Sequence, residues 1–377
     1  MTSRAIRERI VLAYSGGLET TIAIPWLKER YEADVVAVTM DLGQGDELTA
    51  IRDRALASGA VRAHVLDVRE EFVRRFVLPA LQADALDEDG CPMASALDTP
   101  LIAERLVQIA VIEKAAAVAH GCAEPLGSAR LEVALSHLNP ALDVRSVVRR
   151  SGMNRPEQVA FARAHGVPLP VDIDRPVVVQ ANLWGRSAEW VSVNHASREP
   201  ALHPFTVTRA PSESPDEPAF VDLTFERGVP TAINGVSMPL LELAASLSAL
   251  AGAHGVGRID RRDRLASGAQ IMHVGEAPAA VLLHRAHQDL QRLVSPPELE
   301  EFGRVVSRTY AAIVHDGRWF SPLREALDAY VERVQRRVTG SVRLKLLKGD
   351  FTVVGQTRAG ERSTAGKPAA VAFTARP

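Results

Sequence analysis

A chain of 377 residues has room for one large domain or two ordinary ones. Hydrophobic residues make up 46% and charged residues 24%, the balance of a globular protein with a sizeable core. The formal net charge of -2, from 44 Lys+Arg against 46 Asp+Glu, argues against nucleic acid or an acidic membrane surface as the partner.

The first apolar run, Arg9 to Tyr14, predicts a strand that ends at Ser15-Gly16-Gly17. Helical spacing follows over Ile22 to Arg30. A second strand, Asp34 to Thr39, ends at Asp41-Leu42-Gly43. Next come a helix over Glu47 to Ser58, a strand over Ala63 to Asp67 and a helix over Arg69 to Gln82. Alternation at this spacing predicts βαβ units and a parallel sheet. Leu101 to Lys114 reads as a helix and Ala116 to His120 as a short buried strand. Arg175 to Ala210 is rich in Pro, Ser and Asn and marks a break. Beyond it, Phe220 to Glu226 alternates as a strand, and Gly228-Val229-Pro230 makes a turn. Helices are expected over Leu240 to Ala253, Ala279 to Val294 and, amphipathic, Leu323 to Val338. Ser341 to Val354 predicts a hairpin about Lys348-Gly349-Asp350. The tail after Arg358 reads as mobile.

Two cysteines, Cys91 and Cys122, support neither a disulfide framework nor a four-thiolate zinc site. The eleven histidines show no H-x-E or H-E-x-x-H spacing, so no protein-held metal is expected. Met1 to Arg9 lacks a signal-peptide core, and no apolar run approaches the ~18 residues of a membrane span. A cytoplasmic protein is the expectation. The basic cluster Arg145, Arg149 and Arg150 reads as a solvated face.

The strongest chemical signal is Ala13-Tyr14-Ser15-Gly16-Gly17-Leu18-Glu19-Thr20-Thr21, set between a strand and a helix. Adjacent glycines let backbone N–H groups converge. The hydroxyls of Ser15, Thr20 and Thr21 add donors, and the helix start adds a positive dipole end. Together they make an anion nest suited to nucleotide phosphates. No Gly-Lys-Ser/Thr closes the loop, so it is not the P-loop of kinases and GTPases.

The loop resembles the S-G-G-x-D-[ST] loop of PP-loop ATP pyrophosphatases. From about Val11 to Gly355 the chain resembles the argininosuccinate synthase family. The resemblance is carried by Asp41-Leu42-Gly43-Gln44-Gly45, Ala119-His120-Gly121-Cys122, Leu138-Asn139-Pro140, and Asn182-Leu183-Trp184-Gly185-Arg186-Ser187. It continues in His254-Gly255-Val256-Gly257-Arg258-Ile259-Asp260, Trp319 to Leu327, and Thr339 to Leu346. It implies an α/β fold: a doubly wound parallel-sheet nucleotide-binding domain of the adenine nucleotide alpha hydrolase-like type over 1–170. An α+β second domain over 171–357 would carry a C-terminal oligomerisation helix, and 358–377 would be a flexible tail. The implied activity is an ATP-dependent carbon–nitrogen ligase. It adenylates an acceptor oxygen, such as the ureido oxygen of citrulline, with release of pyrophosphate. An amine such as aspartate then displaces AMP. ATP and Mg²⁺ are the implied cofactors, small amino-acid-like molecules the partners, and a homotetramer the assembly.

By the same resemblance Ser15, Glu19 and Asp41 are the catalytic candidates. Ala13 to Thr21 would hold ATP phosphates, Thr39 the adenosine, and Gln44, His120 and Gly121 the nucleotide from neighbouring loops. Ser95, Arg130, Ser187, Asp263 and Glu276 are the candidates for the amino-acid substrates. The plainer readings are a buried His120, a helix-capping Asp41, a packing role for Trp184 and Cys122, and a surface charge at Glu276.

Departures from the family pattern cluster on the amino-acid side. The loop acid is Glu19 where the family has Asp. The family's T-G-K-G-N-D-Q-V-R-F reads here Ala123-Glu124-Pro125-Leu126-Gly127-Ser128-Ala129-Arg130-Leu131, one residue shorter. The T-A-L-A-R-P segment reads Ser95-Ala96-Leu97-Asp98-Thr99-Pro100, and Cys91 stands near the place of a tyrosine. Val178 replaces a serine, and Gly275 begins what is Tyr-Glu-Ala-Pro in the family. This asymmetry favours a relative with altered substrates, since each lost buried hydrogen-bond partner costs ~1–3 kcal/mol. The alternative is a non-catalytic nucleotide-binding homologue. A thiolase acting on RNA fits poorly with the near-neutral charge and the lack of a cysteine pair.

Overall fold

The computed structural model describes residues 7–45, 48–168, 178–192, 205–264 and 270–361. Ile10, Val11 and Leu12 are fully buried in β1 (Arg9–Ala13), followed by α1 (Leu18–Tyr31). β2 (Asp34–Asp41) is buried along six consecutive positions, as a strand covered on both faces requires. α2 (Leu48–Ala57) and β3 (Arg62–Asp67) follow. The helix expected over Arg69–Gln82 is present as α3 (Arg69–Phe72) and α4 (Leu78–Gln82) around a π-helical turn, Val73–Val77. Pro79 has no N–H for the next helical bond and crowds the carbonyl of Arg75, which lies in that wide turn.

α5 (Ala94–Glu113) starts seven residues before the expected Leu101 and carries Pro100 inside it. β4 (Ala117–His120), α6 (Pro125–Leu138), β5 (Asp143–Ser146), α7 (Val147–Ser151) and α8 (Arg155–Ala164) complete this part of the chain. The five strands are parallel in the order β3-β2-β1-β4-β5. The order reverses between β1 and β4, so the loops after those two strands flank the crevice where such sheets bind ligands.

β6 (Val178–Asn182), β7 (Gly185–Ser192), β8 (Ala219–Glu226), β9 (Val229–Ile233) and β10 (Val236–Ser237) precede α9 (Leu240–Ala253). Then come β11 (Arg258–Arg264), β12 (Gln270–Glu276), α10 (Pro278–Val294), α11 (Pro297–His315), α12 (Pro322–Gln335), β13 (Gly340–Leu347) and β14 (Asp350–Arg358). Two antiparallel sheets result, ordered β11-β12-β7-β6 and β10-β9-β8-β13-β14. The expected hairpin turns on Lys348 (φ 50°) and Gly349 (φ 85°), a two-residue loop with both residues left-handed.

One hydrophobic core joins the parallel sheet to the later helices. It includes Phe72 and Phe76, Trp184 beside β7, Leu283 on α10, and Tyr310 and Trp319 near α11 and α12. Trp184 therefore packs as expected. Arg145 does not lie on a solvated face: it is 7% exposed, paired with Glu8 and Asp143 and stacked on Tyr31. Among the described residues no helix is long and apolar enough to cross a membrane. The tail beyond 361 lies outside the described residues.

Candidate functional site

The loop between β1 and α1 is built as a cradle. Gly16 is left-handed at φ 80°, and Gly17 caps α1 without a side-chain bond, so the first turn of the helix keeps backbone donors for a ligand. Ser15 Oγ lies 3.2 Å from Thr20 Oγ1 and accepts from the Gly17 N–H at 3.4 Å. Arg54 on α2 donates to the Gly16 carbonyl at 2.7 Å, and Thr39 donates to the Tyr14 carbonyl at 2.9 Å. Both fix the loop through its oxygens, while the Ser15 and Gly17 N–H groups make only long bonds of 3.4 Å, to Thr20 Oγ1 and Ser15 Oγ.

The loop after β4 forms the facing wall. A Cβ on Gly121 would come within 2.9 Å of Thr20 Cγ2 and 3.1 Å of Thr20 N, so glycine lets this wall close against the start of α1. His120 is fully buried. Its Nδ1 accepts from the Cys122 N–H, which places the ring proton on Nε2, facing Glu132 at 3.3 Å. Burial holds His120 below its ordinary pKa and keeps it neutral. Burial, helped by the charges of Asp98, Glu124 and Glu132, pushes the Cys122 thiol up to about 11. Most of the shortened segment, from Pro125 on, belongs to α6. Glu124 caps it, accepting from the N–H groups of Leu126 and Gly127, with Pro125 at the first helical position.

Both walls open into one cavity of about 1410 Å³. Its far side is lined by Ser95, Asp98 and Thr99 of α5, Arg130 of α6, Asn182, and Arg186 of β7. Arg130 Nε donates to the His315 carbonyl at 2.6 Å, which holds its guanidinium stem in place. Asn182 donates to Asp98 Oδ2 and to the Ala94 carbonyl, each at 2.9 Å. Desolvation pushes the Asp98 carboxyl up to about 7 against the pull of Asn182 and Arg130.

A glycine-rich loop at an uncapped helix start and a polar pocket thus share one cavity at the crevice of a parallel sheet. The family model "Arginosuccinate synthase N-terminal HUP domain" matches residues 9–168, and "Arginosuccinate synthase C-terminal domain" matches 177–364. The chain belongs to the argininosuccinate synthase family. It is 44% identical over 353 residues to an argininosuccinate synthase of Symbiobacterium thermophilum, covering 93% of this chain and 88% of the relative. It is 43% identical over 349 residues to that of Geobacillus kaustophilus, covering 92% and 86%. With that of Oceanobacillus iheyensis it shares 42% over 351 residues, covering 93% and 84%. The fold and these relatives make it an argininosuccinate synthase-like ligase.

The cavity gathers many of the residues named from sequence. Ala13 to Thr20, Thr39, Gln44, Ser95, His120, Gly121, Arg130 and Glu276 all line it. Glu19 faces Arg155 of α8 at 3.6 Å. Gln44 spends its side-chain amide on the Met40 carbonyl and the Leu42 N–H.

Other residues named from sequence stand off the cavity or are engaged elsewhere. Thr21 is fully buried behind the loop and bonds the Tyr14 hydroxyl and the Gly17 carbonyl, because α1 starts at Leu18 and turns position 21 inward. Asp41 is not among the lining residues. Its Oδ1 accepts from the Gly43 N–H at 2.9 Å, and its Oδ2 faces Arg69 at 3.3 Å. Ser187 is skipped by the wall that takes Arg186 and Ala188 on either side, as strand alternation requires. Cys91 is also absent from the wall. Glu276 is 1% exposed and fully engaged: Thr206, Val207 and Thr208 donate backbone N–H groups to it, and Arg186 pairs with it at 3.4 Å. It fixes the cavity rim and does not present a free charge to an ammonium. The side chain of Asp263 lies outside the described residues. Asp98, Asn182 and Arg155 were missed as site residues; the alanine-to-aspartate departure at Asp98 was the available signal.

Proposed function

We propose that this chain is an ATP-dependent carbon–nitrogen ligase that activates a ureido-type acceptor oxygen and couples it to an amine such as aspartate. The single observation that carries the reading is the shared cavity, with Ser15, Gly16 and Gly17 at one end and Ser95, Asp98 and Arg130 at the other. Bound ATP would supply the α-phosphate for the acceptor oxygen and pyrophosphate as leaving group, with AMP leaving when the amine adds.

The cradle fits a phosphate chain: uncapped helix N–H groups, a left-handed Gly16, and a facing wall that needs glycine at 121. Ser15, the N–H groups of Gly16 and Gly17 and the first turn of α1 would hold phosphate oxygens. Glu19 would be the loop carboxylate for Mg²⁺ carried on those phosphates, since Mg²⁺ commonly pairs one or two carboxylates with substrate phosphates. Thr39 and Met40, which line the cavity, would face the adenosine. Arg130 offers a cation to the carboxylate of an amino-acid substrate. The protein's part is positioning and charge neutralisation.

The Glu19–Arg155 pair and the capped α6 turn favour a second reading, nucleotide binding without turnover. Pyrophosphate release from Mg·ATP, with citrulline and aspartate each alone and together, separates the two. Release that needs the acceptor supports the ligase. ATP binding without release on ureido, amide or carboxylate acceptors supports the second reading. We further propose a homotetramer in the cytoplasm, with α12 and the β13–β14 hairpin at the subunit contact. Leu323 on α12 and Val354 on β14 are exposed apolar residues on those elements. Light scattering on the eluting peak tests the subunit number.

A further inference from the structure

The cavity wall carries a carboxylate that the family's T-A-L-A-R-P segment lacks: Asp98 stands at the second alanine, and the arginine after it is Thr99. Its surroundings are built. Asn182 is locked by four bonds: it donates to Ala94 O and Asp98 Oδ2, and its Oδ1 accepts from the N–H groups of Trp184 and Gly185. One Asp98 oxygen is therefore fixed by a rigid donor. Among the described residues nothing donates to Oδ1, and the residue lines the cavity. Thr99 turns its hydroxyl back to the Ser95 carbonyl, so it does not compete for that oxygen. Arg130, across on α6, supplies the nearby positive charge. A half-buried carboxylate with one neutral donor is under-compensated, which marks it as waiting for a ligand donor.

The ligand that fits has N–H donors on its reacting head and a carboxylate elsewhere for Arg130. A ureido head meets this: its nitrogen donates to a carboxylate while its oxygen stays open to react. A carboxylate head offers no N–H to that oxygen, and it meets like charge whenever Asp98 is ionised. We propose that Asp98 is the specificity-determining residue of the acceptor side, binding the N–H edge of a ureido head through Oδ1 and excluding anionic acceptors. The inference rests on the ligase reading.

The test uses full-length protein and pyrophosphate release from Mg·ATP with aspartate, with citrulline as the ureido probe and glutamate as the carboxylate probe. Asp98→Ala should raise KM for citrulline at least tenfold and leave the dissociation constant for ATP within twofold of wild type. Asp98→Asn keeps an acceptor oxygen without the charge, so it should retain part of the citrulline affinity and lose the discrimination against glutamate. An unchanged KM and unchanged discrimination in Asp98→Ala overturn the inference while leaving the ligase reading intact. If the wild type binds ATP and releases no pyrophosphate, the ligase reading fails. Calorimetry of citrulline on protein loaded with a non-hydrolysable ATP analogue then decides for Asp98: equal affinity in both proteins, or none in wild type, overturns it. Tenfold weaker binding in Asp98→Ala supports it.

Discussion

Glu276 and Thr208 are joined twice: Glu276 Oε1 accepts from the Thr208 backbone N–H at 2.7 Å and from its hydroxyl at 2.8 Å. Arg258 grips the same threonine through its carbonyl and hydroxyl and stacks on Phe205 at 4.0 Å. One carboxylate at the end of β12 thus fastens the segment 205–208 over the cavity rim. Removing it strands the Thr208 N–H in a buried place and takes the acceptor from the Thr206 and Val207 N–H groups. Glu276→Ala should destabilise the protein by about 3–5 kcal/mol, the range for breaking a buried pair from one side. Urea denaturation measures this; an unchanged midpoint would show that the rim is not fastened there.

Gly121 sets how closely the two walls approach. Its missing Cβ faces Thr20 at 2.9 Å, and the nearest obstacles include Thr20 N and the Glu19 carbonyl carbon, which belong to backbone and cannot swing aside. Gly121→Ala should cost about 1–3 kcal/mol of strain. It should also weaken ATP binding at least tenfold by pushing the start of α1. Calorimetric titration with ATP checks it, and a dissociation constant within twofold of wild type would remove Gly121 from the cradle.

Cys122 sits in the cavity wall and invites a nucleophile reading. With its thiol pushed up to about 11, almost no thiolate exists at neutral pH. Iodoacetamide at pH 7.5 should label Cys122 at least tenfold more slowly than a free thiol of ordinary pKa about 8.5. Cys122→Ala should keep pyrophosphate release within twofold. Rapid alkylation, or loss of turnover in a protein that still binds ATP, would restore the thiol to the chemistry.

The nucleotide half of this arrangement was legible because it is local. An apolar run, Ser15-Gly16-Gly17 and a helix pattern stand in order along the chain, and the parallel sheet follows from the same alternation. The misses are tertiary. Pro100 reads as a helix breaker, so the start of α5, and with it the wall position of Asp98, stayed hidden. Asp41 looks like a strand-end ligand until Arg69, from the far side of β3, claims it. The donors that consume Glu276 come from 206–208, about seventy positions away. α8 had a readable start, Asn154 with Glu157 in a capping box and a proline between, and was passed over. α11 was missed although Pro297 marks its first turn.

His287 on α10 is fully buried, with Nε2 2.8 Å from Gln335 Oε1. Desolvation holds its pKa well below the ordinary value, outweighing the Gln335 bond and the Asp84 charge. The unfolded chain therefore binds a proton near pH 6.5 that the folded protein refuses. Stability from this site is full above pH 6.5 and falls as the pH drops below it. His287→Asn should destabilise the protein less at pH 5 than at pH 7.5, because the variant escapes the acid penalty while losing the same packing at both. Guanidinium midpoints at the two pH values give the difference. An equal or larger loss at pH 5 would mean that His287 accepts its proton in the folded state.

Ser15 is the residue on which the phosphate assignment can be tested most sharply. Among the described residues its hydroxyl is tied only to Thr20 Oγ1 at 3.2 Å and the Gly17 N–H at 3.4 Å, both long and on the loop itself. Losing them should cost little stability, since neutral bonds of this kind contribute about 1 kcal/mol. A hydroxyl aimed at phosphate oxygens matters most when charge builds up in the transition state, where one preorganised donor is worth about 10²–10³ in rate. Ser15→Ala should therefore lower the rate of pyrophosphate release about a hundredfold, with a melting temperature within a few degrees of wild type. Thr21→Ala is the matched control. It lies behind the loop, bonded to Gly17 O and the Tyr14 hydroxyl, so it should lower stability more than Ser15→Ala and the rate much less. If Ser15→Ala turns over like wild type, the loop after β1 does not hold the reacting phosphates; if both variants fail equally, the loop acts through its shape and not through the Ser15 hydroxyl.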